Sequence, residues 1–192
     1  MKNLVFLFAS IIFLSGCRSS KPVIPSENRS EFPVVFGEAQ GTEKEIDYHD
    51  QTTMLLGYFN PAMLRQPPHT AWFVEGYDDY FPETDVVNRL LDIPMDDVTI
   101  KIVMGTWCPD SRREVPRFVK ILDMIRFPAE KITFVGVDMD KRSPVGKFEE
   151  LKIERVPTII FYKKNIEAGR IIEVPQSSLE QDMVKILSGM NN

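Results

Sequence analysis

The pattern of apolar and polar positions changes character several times along the chain. Leu4 to Leu14 is mostly apolar and follows Lys2, a run too short to cross a hydrocarbon core of ~30 Å but suited to the middle of a secretory signal. Arg18 to Gly41 carries three prolines and no sustained period, and reads as a tether in which Val34-Val35-Phe36 is a candidate edge strand. Between residues 48 and 83 the aromatics Tyr58, Phe59, Trp72, Phe73, Tyr77, Tyr80 and Phe81 crowd together without a clean period. Large rings supply core area more often than they form a binding platform, so this segment is expected to pack its rings onto the main domain. His49 and His69 lack neighbours at metal-ligand spacing and are expected to be surface or structural residues.

From Thr84 onward the periods sharpen. Thr84 is positioned to cap a short helix whose Val86, Val87, Leu90 and Leu91 recur at helical spacing before Pro94. Val98 to Met104 is rich in β-branched residues and partly alternating, which predicts a strand. Cys108-Pro109 then opens a helix with Val115, Phe118, Val119, Leu122 and Ile125 on one face, bent at Pro116 and stopped at Phe127-Pro128. Lys131 to Val137 is nearly all apolar, as in a strand buried on both faces. A short helix over Ser143 to Leu151, a strand over Thr158 to Tyr162, a turn at Lys163-Lys164-Asn165 and a partner strand over Gly169 to Val174 follow. Ser177 and Glu180 match a capping box for a last helix ending near Gly189.

The 192 residues carry a formal charge of −5, and loss of a leader containing Lys2 leaves −6, so no general positive field is available to bind nucleic acid. With only Cys17 and Cys108, a disulfide-dense scaffold, a multi-thiolate zinc site and C-x-x-C-H haem attachment are excluded by count. Phosphate-cradling glycine loops and dinucleotide fingerprints are absent, and the reading needs no cofactor.

The stretch Gly105-Thr106-Trp107-Cys108-Pro109-Asp110-Ser111 carries the chemistry. A strand delivers Cys108 to the start of a helix, where unpaired N–H groups and the helix dipole favour a negatively charged sulfur. Arg112 and Arg113 add to that effect while Asp110 and Glu114 oppose it. Trp107 directly before Cys108 at a strand-to-helix junction, Pro116 eight residues further on, and Val156-Pro157-Thr158 before the next strand resemble the thioredoxin family in motif and order, over residues from about 84 to 190. The resemblance implies an α/β thioredoxin-like fold, a central mixed β-sheet flanked by helices with an N-terminal extension. It also implies that Pro157 is cis, faces Cys108, and with Trp107, Pro109, Asp110, Val156 and Thr158 lines a groove for an extended peptide.

Two positions depart from the family pattern. Redox-active members carry a second cysteine where this chain has Ser111, and many thioredoxins carry a buried acid where it has Ile102. Without a resolving thiol, a self-contained reductase cycle is not expected. Ser111 is instead expected to donate a hydrogen bond to the Cys108 sulfur. The thiol functions compatible with this are monothiol exchange completed by an external thiol, disulfide isomerisation, and mixed-disulfide capture of exported proteins. A peroxide-reducing cysteine stays open, and the alternative is a non-catalytic module that holds a protein partner in the Pro157 groove or on the aromatic segment.

Leu14-Ser15-Gly16-Cys17 resembles a bacterial lipoprotein signal, which implies cleavage before Cys17, attachment of a diacylglycerol chain to its thiol, and fatty chains such as palmitate on the anchor. The expected organisation is a signal peptide at 1–16, a lipid-anchored tether at 17–45, the aromatic extension at 46–83 and the thioredoxin-like domain at 84–192. Its expected place is the bacterial cell envelope, facing the periplasm. The expected partners are the membrane, exported proteins with thiols or disulfides, and an external thiol reductant.

Overall fold

Strand β2 (Val98–Met104) organises the molecule, because its two edges take partners of opposite direction. In the computed structural model, which describes residues 46–189, β2 pairs in parallel with β3 (Ile132–Gly136) and antiparallel with β4 (Thr158–Lys163). β5 (Ile166–Ile172) adds antiparallel to β4, and β1 (Gly57–Phe59) adds antiparallel to β3, giving the order β1-β3-β2-β4-β5. The helices are α1 (Thr70–Asp78), α2 (Thr84–Leu91), α3 (Pro109–Met124) and α4 (Leu179–Gly189).

Alternation along the strands separates two cores. Ile100, Ile102 and Met104 of β2, Phe134 of β3 and Phe161 of β4 join one cluster with Phe73 of α1, Leu90 of α2, Phe118 of α3 and Met183 of α4. Val103 and Val135 face the other way, into a smaller cluster with Val137, Phe148, Val156 and Cys108 itself. The chain between β3 and β4 covers this second face. The helix expected over 143–151 is only a 3₁₀ turn at Phe148–Leu151, because left-handed residues at Lys147 and Lys152 bracket it. Arg170 of β5 holds the end of this crossover through the Leu151 carbonyl at 3.1 Å while paired with Glu167 at 2.6 Å.

Residues 46–83 belong to the same compact unit as the rest of the described chain. The missed strand β1 seats on β3 where Gly136 lets the chain pass; a Cβ there would stand 1.9 Å from the Leu55 carbonyl oxygen. The aromatic segment does pack inward: Phe73 is buried, Phe59, Trp72, Tyr77 and Tyr80 lie against the core, and only Tyr58 and Phe81 among the seven are strongly exposed. His49 lies exposed beside Asp47. His69 is buried between Tyr48 and Trp72, and burial pushes its imidazole below the usual range. The leader, the tether, Cys17 and Val34 to Phe36 lie outside the described residues.

Other local corrections have simple causes. Helix α2 begins at Thr84 with Glu83 as its cap residue, whose N–H is taken by Glu180 Oε1 at 3.0 Å. Ser178, not Ser177, caps α4 by accepting from the Gln181 N–H at 3.3 Å. Lys164 and Asn165 both take positive φ, so the hairpin turns in two residues and β5 starts at Ile166; Glu173, with φ 64°, ends it.

Glu180 is 2% exposed and accepts from the Tyr80 hydroxyl at 2.6 Å as well as from Glu83, tying the α1–α2 connection to α4. Burial pushes its carboxyl upward, but hydrogen bonds from Tyr80 and backbone N–H groups outweigh that and hold it below the ordinary carboxylate value. The ionised form is therefore favoured by folding, a contribution complete above the unfolded value and lost as pH falls through the lower folded one. Tyr80→Phe should cost about 1.5–3 kcal/mol at pH 7. The deficit should shrink towards pH 3, as read by urea unfolding at both pH values.

Candidate functional site

The site forms where β2 ends. Because β2 and β3 run in parallel and β4 runs the opposite way, the C-terminal end of β2 and the N-terminal end of β4 lie side by side. Cys108 follows β2 and Val156-Pro157 precedes β4, so the sheet register alone brings them together. The Val156–Pro157 peptide is cis, and the Cys108 thiol donates to the Val156 carbonyl at 3.2 Å.

Cys108 is the cap residue of α3, in extended conformation (φ −79°, ψ 123°), and Pro109 occupies the first helical position, where its missing N–H costs nothing. The Cys108 side chain makes no capping hydrogen bond, so the first-turn amides are available to an anion at the sulfur. Cys108 is 7% exposed and packs in the smaller core. Trp107 packs against that core and donates from Nε1 to the Val137 carbonyl at 3.0 Å. Its ring lies on Gly105, where a Cβ would stand 2.5 Å from the indole, so glycine is required for the ring to fold back.

Ser111 is fully buried, and its hydroxyl accepts from the Gly105 N–H at 3.4 Å. The expected bond from Ser111 to the Cys108 sulfur is not formed here; the serine closes the β2–α3 turn, and the thiol's own bond runs to Val156. Asp110 and Glu114 are both paired with Arg113, at 2.8 and 2.6 Å, and Glu114 also with Arg117 at 3.5 Å, so the carboxylates and Arg113 engage one another. The Arg112 guanidinium lies 4.3 Å over the Tyr48 ring.

On the opposite flank, Thr158 is buried and donates to the Arg155 carbonyl at 2.6 Å. Glu173 donates its N–H to the Pro157 carbonyl at 2.7 Å and accepts from Arg155 through its carboxylate at 2.6 Å. Residues 155–158 are thus held from both sides. Sequence reading placed Trp107, Cys108, Pro109, Asp110, Ser111, Val156, Pro157 and Thr158 at the site, and the structure brings them together. It missed Glu173 and the segment around Thr53 and Leu55, which meets Thr106 Oγ1 at 3.3 and 3.4 Å. A non-glycine residue due for positive φ leaves no sequence signal, and neither does a contact spanning some fifty positions.

The thioredoxin family model matches residues 90–185, half of the chain. This chain belongs to the thioredoxin family. A thioredoxin from Echinococcus granulosus is 26% identical over 77 residues, 40% of this chain and 66% of that protein, just under two thirds of its length. Among solved structures, a Pseudomonas aeruginosa protein of unknown function is similar at 15% identity, with TM-score 0.40 over 63% of this chain and 72% of the other. Oxidized thioredoxin O2 from Arabidopsis thaliana is similar at 20% identity, with TM-score 0.36 over 54% of this chain and 87% of the other.

The turn geometry makes Ser111 testable as a structural residue. Ser111→Ala leaves the Gly105 N–H without its acceptor and should lower stability by about 1 kcal/mol in chemical denaturation.

Proposed function

We propose that this thioredoxin-family protein is a lipid-anchored lipoprotein of the bacterial cell envelope that uses Cys108 as a single exchanging thiol on exported proteins. The observation that carries the reading is the thiol at the start of α3, 3.2 Å from the carbonyl that precedes cis-Pro157, with serine at the position of a second cysteine. The Cys108 thiolate attacks one sulfur of a substrate disulfide; the new Cys108–substrate S–S bond forms as the old S–S bond breaks, and the departing sulfur leaves as a thiolate that takes up a proton. Release follows when a second thiolate attacks the mixed disulfide and Cys108 departs. If that thiolate belongs to the substrate, the outcome is isomerisation with no net redox change. If it is an external thiol, a further equivalent of that thiol completes reduction of the substrate and is itself oxidised. The first-turn amides of α3 support the charge on the sulfur, Ser111 holds the turn that presents it, and Trp107, Pro109, Asp110, Val156, Pro157 and Thr158 shape the peptide groove. Cys17 carries the acyl chains and residues 17–45 form the tether.

A single-thiol site should accumulate its intermediate. Full-length protein should form stable mixed disulfides with envelope proteins, visible on non-reducing gels, and Cys108→Ser should abolish them. Ser111→Cys supplies an internal resolving thiol and should make the same adducts transient. Persistence of the adducts in Cys108→Ser would sink the reading. Cys17→Ser should move the protein from the membrane fraction to the soluble fraction.

A further inference from the structure

Glu173 ends β5 in a conformation that its side chain does not favour. Its φ of 64° lies in the left-handed region, where a Cβ crowds the following carbonyl and glycine or asparagine sits more readily. A glutamate persists in such a place only where its surroundings hold it, and both halves of this residue are held to the loop that faces Cys108. The backbone N–H donates to the Pro157 carbonyl at 2.7 Å, and the carboxylate accepts from Arg155 Nη1 at 2.6 Å. Glycine would make the first bond without crowding, so the second is what the glutamate adds.

The loop has few other anchors. Thr158 is fixed by the sheet, paired with Val103 of β2 and with Ile172 of β5. Before it, successive carbonyls each accept from a different donor: that of Arg155 from the Thr158 hydroxyl at 2.6 Å, that of Val156 from the Cys108 thiol at 3.2 Å, and that of Pro157 from the Glu173 N–H. Arg155 precedes the strand, and among the described residues its guanidinium makes an ion pair with Glu173 alone. With the arginine side chain 65% exposed, such a pair adds little to global stability. What it fixes is local, namely the place of residues 155–157 and with it the approach of the Val156 carbonyl to the sulfur.

We infer that Glu173 and Arg155 are positioning residues for exchange at Cys108: their ion pair holds residues 155–157 so that a peptide seated against this loop presents its disulfide to the sulfur. This rests on the proposed thiol function and deepens it. The sulfur's hydrogen bond runs to Val156 and to neither of these side chains, so both act through the loop. A peptide that uses the loop gains from the pair, because displacing reacting groups by ~1 Å costs up to about 100-fold in rate. A small disulfide that reaches the sulfur without lying on the loop gains nothing.

The test uses the full-length protein and two second-order rates of mixed-disulfide formation at Cys108, one with a disulfide-bridged peptide and one with a small aromatic disulfide reagent. Arg155→Ala and Glu173→Asn each remove the ion pair, and asparagine tolerates the left-handed backbone. Each should lower the peptide rate, in itself and relative to the reagent rate, by at least about fivefold. The double variant should lose no more than either single one, since both break one contact. Arg155→Lys keeps a charged donor facing Glu173 and should stay within about twofold of the unaltered protein. Peptide and reagent rates that move together in either single variant, a double variant whose losses multiply, or Arg155→Lys falling as far as Arg155→Ala would overturn the assignment. So would a lower unfolding midpoint in urea with an unchanged ratio of rates, since the pair would then be only structural. Failure of the thiol reading shows separately, as an unaltered protein whose Cys108 reacts with neither disulfide.

Discussion

The site depends on the mixed pairing of one strand. β2 takes a parallel neighbour on one edge and an antiparallel neighbour on the other, and the antiparallel pairing sets the end of β2 beside the start of β4. The contacts across the site follow from it: the thiol on the Val156 carbonyl, and Glu173 reaching Pro157 from β5's end. An all-parallel sheet would carry the cis-proline loop to the opposite end, more than 15 Å away for strands of about six residues.

This constraint also explains how the N-terminal segment is used. The sheet would end at β3 without residues 57–59, and Gly136 leaves the space that the chain entering β1 occupies. Once there, the segment meets Thr106, and Tyr48 underlies Arg112 of α3. Tyr80 and Glu180 fasten its other end to α4. The aromatic residues of 48–83 thus serve largely as fasteners between helices, consistent with their area being worth more inside than on the surface.

What was legible in the sequence was local and strongly periodic. β2 was read to the residue, because β-branched residues line both faces, and α3 starts at Pro109 as its N-terminal proline implies. What was not legible depended on distant partners. β1 is three residues long and becomes a strand only by pairing with β3; the crossover holds three left-handed lysines, Lys141, Lys147 and Lys152, which carry no composition signal; and the α4 cap fell one residue later because Glu180 is drawn away to Tyr80 and Glu83. At the site, cysteine, tryptophan and proline were readable as motifs. The direction of the Ser111 hydroxyl was not, since it is set by a turn closing on Gly105.

The account stands on Cys108 being a reacting sulfur and not a buried core residue, which its near-complete burial leaves to chemistry to decide. The most direct measurement is the second-order rate at which Cys108 in the full-length protein forms a mixed disulfide with a disulfide-bridged peptide, set against N-acetylcysteine under the same conditions. A rate at least about tenfold above the free thiol, equivalent to ~1.4 kcal/mol of transition-state stabilisation, is the predicted result. A rate at or below that of the free thiol would contradict the account.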